Sequence, residues 1–428
     1  MGEIIQIHLG NCGNQIGSSF YEYISDEHGL DPQGNYIGES FLQREKINVF
    51  FQPEIASSKY SARALLVDLD SSTLDSIRTS SQAKLFRPEN IINMKNGANN
   101  VWPKGYYTDS WTIMKKIVDQ MRKEVEICDN FRGFQVISSI SAGTGGGILC
   151  KLLETINEEY KTIVSTVSIM SSQQNSENSL AAYNNILSIP TLQEKPDQCI
   201  MIDNDSLYSL CENVLFLENA SFLDINHIVA GALGILTAPL RFLSPLSTDF
   251  QSMVMNLNPF EKLHFLSLSL APLAAKLTPQ FKILSPFEIF QQMNQPSNFL
   301  SNIDFKTEKT LAAGAFFRGH MGDREVELLC SRYSEKNAEI FAKGVRQGFL
   351  LGHSAVPPKG MKLAGSCLIN NTCFRSYLKE MKVKYEKLSK KKSFMHWFTG
   401  EGMDELEFVE KAGTVDDLIG EYEKIIGN

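Results

Sequence analysis

The stretch Ser141-Ala142-Gly143-Thr144-Gly145-Gly146-Gly147 follows the strand-like run Phe134 to Ile140 and precedes a helical pattern from Ile148 to Tyr160. Glycines carry no Cβ, so backbone can approach an anion closely, and the free N–H groups and dipole of a helix start attract negative charge. The stretch reads as a phosphate cradle to which Thr144 adds a hydroxyl donor; tight strand-to-helix packing is the alternative use of the same glycines. No Gly-Lys-Ser/Thr follows, which sets aside the common P-loop. The late position also fits poorly with a dinucleotide fold, which opens with its glycine turn.

Working outward, the strand-like run Glu3 to Leu9 leads through Gly10-Asn11-Cys12-Gly13-Asn14-Gln15-Ile16-Gly17 into a helical pattern that includes Phe20, Tyr21 and Ile24. This is a second glycine turn facing a helix start. The apolar run from Ala64 ends in Asp68 and Asp70, two apart, so both carboxylates can project to one side where the strand ends. A Mg²⁺ that bridges phosphates takes one or two such carboxylates, often through water, while a solvated strand end is the plainer reading. A third loop, Asn96-Gly97-Ala98-Asn99-Asn100-Val101-Trp102-Pro103, has the composition of an ordered turn.

Strand runs at Ile4 to His8, Ala64 to Leu69, Phe134 to Ile140 and Thr162 to Met170 alternate with helical patterns at Trp111 to Cys128 and Ile148 to Tyr160. The spacing predicts a parallel sheet with helices on both faces, and ligands of such sheets bind beyond the carboxyl ends of the strands, where all three loops fall. Apolar positions at Phe222, Ile225, Ile228, Val229, Leu233 and Leu236 predict a long helix over Phe222 to Thr237, closed by Pro239. A mixed region follows, with strand-like stretches at His264 to Ser269, Leu311 to Arg318 and Met361 to Ile369, then helical segments at Thr372 to Tyr385 and Met403 to Ile426.

With 428 residues, 43% hydrophobic and 21% charged, the chain can bury large cores and divide into two or three domains. A net charge of −8 gives no reason to expect nucleic acid as a partner. No signal-peptide pattern opens the sequence, and the longest apolar run, Ile228 to Leu240, is too short and interrupted to span a bilayer, so no membrane role is expected. The eight cysteines show no paired metal spacing and read as reduced thiols, with Cys12 set apart by its place in the first glycine turn.

Gly13-Asn-Gln-Ile-Gly17, Ser25-Asp-Glu-His-Gly29, Val67-Asp-Leu, Phe86-Arg-Pro88, Asn204, Asp224 to His227, Phe317-Arg-Gly319 and the block His396-Trp-Phe-Thr-Gly-Glu-Gly-Met-Asp-Glu405 stand in one order along the chain. This set resembles the tubulin family, from the first residues almost to the last. The compact segment Pro357 to Cys367 resembles the β-type, since α-type chains carry an insertion there. The resemblance implies an α/β fold with a parallel-sheet GTP-binding domain over 1–205, a long central helix and a second mixed α/β domain over 206–380, and a C-terminal helical region over 381–428.

The resemblance also assigns roles. Positions Gly10, Asn11, Cys12, Gln15, Ser139, Gly143, Thr144 and Gly145 would surround the phosphates, with Asn100 of the third loop in the nucleotide-binding set. Asn204 and Asn226 would hydrogen-bond guanine and Phe222 would stack on it, with Asp70 toward Mg²⁺. An amide offers donor and acceptor together, as the guanine edge requires, and an aromatic face holds the base. Against the family, Asn11 replaces glutamine, Asn99 glycine, Ser141-Ala142 Gly-Gly, Asp70 glutamate and Ala181 an acidic residue expected at the ribose. A side chain at position 99 or 142 costs the backbone its easy access to positive φ.

The implied function is a GTP-binding, β-like structural subunit that joins an α-tubulin-like partner, or itself, in a microtubule. The implied location is the cytoplasm and cytoskeleton, with microtubule-associated proteins as further partners. GTP would be hydrolysed when the next subunit completes the site through the loop here written Leu246 to Ser252; Asp249 matches an acidic position, and Ser252 stands where α-type chains carry the catalytic glutamate. A serine is no base near neutral pH, so a homopolymer should turn over slowly. A self-assembling homopolymer and a non-cycling tubulin-like binding protein are the alternatives. Ala275 to Phe281 occupies the place of the loop joining neighbouring protofilaments, and the sequence closes at Asn428 with no acidic tail, so factors that read such a tail should bind poorly.

Overall fold

A computed structural model describes the chain except residues 1, 39, 55–58, 172–177, 218, 245, 247, 274–283, 304–307, 346 and 428. The expected interprotofilament segment, Ala275 to Phe281, falls wholly in that set and so lies outside the described residues. Ten strands form one sheet: β1 (Glu3–Leu9), β4 (Ala64–Asp68), β5 (Ile91–Asn93), β6 (Phe131–Ser139), β7 (Ile163–Met170), β8 (Gln198–Asp203), β9 (Phe265–Leu268), β10 (Thr310–Gly319), β11 (Phe349–Ser354) and β12 (Leu363–Asn371). Two short strands, β2 (Phe51–Pro53) and β3 (Tyr60–Ala62), pair separately. The order is β11-β10-β12-β9-β8-β7-β6-β1-β4-β5, parallel from β9 to β5. Only β12 runs against both its neighbours, β9 and β10.

The apolar runs of β1, β6, β7 and β8 are buried along almost their whole length, as strands covered on both faces must be. On one face Ile5, Phe134 and Val136 share a core with Ile117 of the helix Ser110–Glu126, Leu152 of Gly143–Glu159, Tyr183 of Ala181–Glu194 and Leu418 of Glu405–Gly427. On the other, Ile137, Ile200 and Ile202 meet Phe20 and Ile24 of the helix Gly10–Glu27 and Val229 and Leu233 of the helix Phe222–Leu236. A third core, around Ile289, Phe317 and Val326, supports β10 and β12.

Most boundaries shift by one to a few residues from the sequence reading, as in the helix Phe374–Ser389 expected over Thr372 to Tyr385, and two of the shifts bear on the site. The helix expected from Ile148 begins at Gly143, so the glycine run is the first helical turn rather than a loop before it. The central helix ends at Leu236, one residue early, and Pro239 sits in its own short turn, Ala238–Arg241. Among the described residues no helix is long and apolar enough to cross a membrane.

Candidate functional site

The carboxyl ends of β1, β4, β6 and β8, with the start of the helix Phe222–Leu236, enclose a cleft of about 490 Å³. Its wall contains Gly10, Asn11, Cys12, Gln15, Asp70, Asn100, Ser139, Thr144, Gly145, Asn204, Phe222 and Asn226 together, so residues 216 positions apart in sequence face one space. Gly143 is the member of the expected set absent from the wall: a Cβ there would fall 2.6 Å from the Val101 amide nitrogen, so this glycine serves close packing. Gly145 serves both uses, since it lines the cleft while its missing side chain leaves room for the Ser139 carbonyl.

Each loop is held by side chains of its neighbours. Asn14, fully buried, donates to the carbonyls of Gly10 (2.8 Å) and Val67 (3.0 Å) and so ties the first turn to the end of β4. Asn184 donates to the carbonyls of Asn100 and Ser141, both at 2.9 Å, which joins the third loop to the glycine run. The Ser141 hydroxyl lies 2.9 Å from Asn185 Oδ1 and accepts from the Ser171 amide at 3.0 Å, so the unusual serine has its own structural work. Lys104 donates to the Gly97 carbonyl at 2.8 Å. Gly10 takes φ +70°, Asn99 φ 50° and Asn100 φ 58°. Asparagine enters this left-handed region more readily than other side chains, which explains how the loop dispenses with a glycine at 99. Ala142 is extended, and its Cβ costs nothing.

The site favours an anion at its centre. The helices Gly10–Glu27 and Gly143–Glu159 both start without a side-chain cap and without an acidic residue in the first turn, leaving backbone N–H groups and two positive dipole ends directed at the cleft. The helix Phe222–Leu236 differs, being closed by a Ser221–Asp224 capping box. Phosphate groups fit these donors. At the base end Asn226 Nδ2 donates to Gln15 Oε1 at 3.2 Å, and Phe222 keeps 63% of its surface exposed, an open ring beside Tyr208.

The two carboxylates are unlike each other. Asp68 is buried and accepts from the Asp70 amide at 3.3 Å; burial pushes its carboxyl up to about 6. Asp70 is exposed, and the Ser72 hydroxyl, donating at 2.6 Å, lowers its pKa. No group of three or more His, Cys, Asp or Glu side chains capable of holding a metal occurs among the described residues. The donor set therefore fits a Mg²⁺ held mainly by phosphate and water with Asp70 beside it, and does not fit a protein cage. Desolvation pushes the Cys12 thiol up to about 12, although the residue is only half-buried in the cleft wall.

Asp249 lies away from this cleft. It is exposed at the start of the helix Phe250–Leu257, near Lys46, whose pKa burial lowers against the opposing charge of Asp249. A larger cleft, about 780 Å³, opens between β8, β9 and the helix Phe374–Ser389. It lacks the glycine turns, and the helix start beside it is already capped by Asp203, which accepts from the Asp205 amide at 3.2 Å. The start of the helix Phe374–Ser389 also borders this cleft without a side-chain cap, so the two clefts differ in their glycine turns and base-facing amides rather than in having a free helix start. Ser72, Thr73, Asn184 and Lys104 were not singled out in the sequence; the hydroxyls following Asp70 were the available signal, whereas Asn184 needed the fold.

The fold and cleft define an α/β protein with a cleft suited to an anionic ligand beyond the carboxyl ends of a parallel sheet. Residues 3–212 match the Tubulin/FtsZ family, GTPase domain, and residues 261–383 match the Tubulin C-terminal domain. The chain is 40% identical over 425 residues to the tubulin beta-6 chain of Gallus gallus, spanning 99% of this chain and 95% of that protein. It belongs to the tubulin family.

Proposed function

We propose that this chain is a β-tubulin-like cytoskeletal subunit that binds GTP in the cleft and assembles, longitudinally and laterally, with an α-tubulin-like partner into microtubules. The observation that carries the reading is the meeting of two uncapped helix starts with Gln15, Asn204, Phe222 and Asn226 in one wall. In this reading the N–H groups at Gly10 to Cys12 and at Thr144 and Gly145 hold the phosphates, Asn204 and Asn226 present amides to the guanine edge, and Phe222 stacks on it. Asp70 stands by a Mg²⁺, which when bound offsets charge on the phosphates.

This chain's own residues leave hydrolysis incomplete. The cleft wall offers Asp68 and Asp70 as its acids, and both lie at the carboxyl end of β4, where the cation would sit. A base for the attacking water must then come from a neighbour that seats its Asp249-equivalent loop over the cleft. The separation of Asp249 from its own cleft supports that arrangement. GTPase activity on assembly, magnesium dependence and a cytoplasmic, cytoskeletal location belong to the same proposal.

Sedimentation tests it. The purified chain, mixed with an α-type subunit and GTP, should enter a pelletable polymer, and should do so less with GDP. A chain that stays in the supernatant with either nucleotide would favour a non-cycling binding protein, and one that pellets equally well alone would favour a homopolymer.

A further inference from the structure

A line of side-chain hydrogen bonds connects the base end of the cleft to its carboxylate end. Asn226 donates to Gln15 at 3.2 Å, and Gln15 Nε2 donates to Asn11 Oδ1 at 2.6 Å. Thr73 Oγ1 donates to that same Asn11 oxygen at 2.8 Å, and the preceding residue, Ser72, donates its hydroxyl to Asp70 Oδ2 at 2.6 Å. Ser72 and Thr73 open the helix Ser72–Thr79, so a single helix start holds Asn11 on one side and Asp70 on the other.

We propose that Ser72 is a positioning residue for the divalent cation: by donating to Oδ2 of Asp70 its hydroxyl helps hold the carboxylate in one orientation for the metal. The proposal rests on the reading of Asp70 as the cation's carboxylate. Asp70 is exposed; the backbone N–H groups of Ser71 and Ser72 approach its carboxylate, and among the described residues the Ser72 hydroxyl is the side chain that bonds it. An exposed carboxylate without a restraint spreads over several rotamers, and binding must then order it; a hydroxyl that already holds it removes that cost. The bond also explains how a short side chain works at this place. Asp70 lies opposite the third loop, with its Cβ 3.7 Å from where a Gly97 Cβ would stand, and a carboxylate on one methylene has little reach with which to correct its own aim. Thr73 completes the device, because its bond to Asn11 sets the helix start relative to the first glycine turn. Partners that orient a metal-facing carboxylate carry weight comparable to the ligand itself, with effects of roughly 10- to 100-fold on metal affinity.

The test uses the full chain freed of nucleotide, with GTP affinity measured in Mg²⁺ and again in EDTA. Ser72→Ala should reduce the gain in affinity that Mg²⁺ confers by roughly 10-fold or more, Ser72→Thr should retain it, and neither should change affinity or melting temperature in EDTA. If Asp70→Asn loses the Mg²⁺ gain while Ser72→Ala keeps it, the role of Ser72 is overturned and that of Asp70 stands. If Asp70→Asn keeps the gain, the underlying assignment of Asp70 fails, and the proposal with it. If Ser72→Ala lowers affinity or melting temperature equally in EDTA, the residue is structural and the proposal is overturned.

Discussion

Asp203 shows how a single side chain beside the cleft is made sensitive to pH. It caps the helix Asn204–Asn213, accepting from the Asp205 amide and the Ser206 hydroxyl, and so fixes where Asn204 faces the cleft. Burial, and then the charge of Asp205, push its carboxyl from 3.8 to about 6 despite those bonds. A folded-state value above the unfolded one means that the folded chain holds the proton more tightly, so this contribution to stability is complete below pH 3.8 and is lost as pH rises through about 6. Asparagine caps a helix equally well without ionising. In thermal melts, Asp203→Asn should therefore gain melting temperature relative to the parent between pH 4 and pH 7; a difference that stays constant across that range would contradict the account. At this scale the sequence was partly legible. Asn226, Gln15 and Phe222 could be placed through family resemblance, but nothing local in Asn96 to Pro103 marks two successive left-handed asparagines, because that conformation is imposed by the Asn184 clamp from a distant helix.

At the scale of elements, the helix Gly10–Glu27 is held at both ends. Its start opens on the cleft, while at its last residue Glu27 meets Arg241, at 2.8 Å, and Arg318, all three side chains being at most 2% exposed. Arg241 belongs to the turn after the central helix and Arg318 to β10, so one carboxylate joins three elements; Phe242 lies under both guanidinium groups. Replacing Glu27 leaves two buried cations facing each other. Glu27→Ala should cost about 3–5 kcal/mol in denaturant unfolding, whereas a loss below about 1 kcal/mol would show that the cluster is not the joint described here. Elements with long apolar or amphipathic patterns, such as β1, β6 and the helices Ser110–Glu126 and Phe222–Leu236, were readable from spacing. The start of the helix Gly143–Glu159 was not, because a glycine run has no side-chain periodicity to show that it is helical. Short strands such as β5, with three residues, fall below the length at which alternation says anything.

The whole molecule places its ligand cleft and its acidic Asp249 loop at separate sites, an arrangement that makes sense when one copy completes another's site. Ser252, half-buried in the helix Phe250–Leu257, accepts from Asn256 within its own helix, and a glutamate there would sit in the first turn, where the helix dipole favours it. Ser252→Glu should leave the melting temperature of the monomer unchanged and raise phosphate release from a polymer of this chain alone by roughly tenfold or more, as a positioned general base does. Equal release from both polymers would show that the neighbour's loop is not the source of the base. The parallel sheet and the order of its cleft loops could be anticipated from alternating strands and helices. The continuation of that sheet through β9 into the second half could not, since pairing between Cys199 and Phe265 has no local mark in sequence.

Everything proposed for this chain depends on a guanine nucleotide in the cleft. The most direct measurement is to denature the purified chain and identify the released small molecules by chromatography, for the parent and for Asn226→Ala. The parent should release about one guanine nucleotide per chain, with affinity reduced roughly 10- to 100-fold when the Asn226 amide is removed. Release of no nucleotide, or of adenine nucleotide unaffected by the substitution, would contradict it.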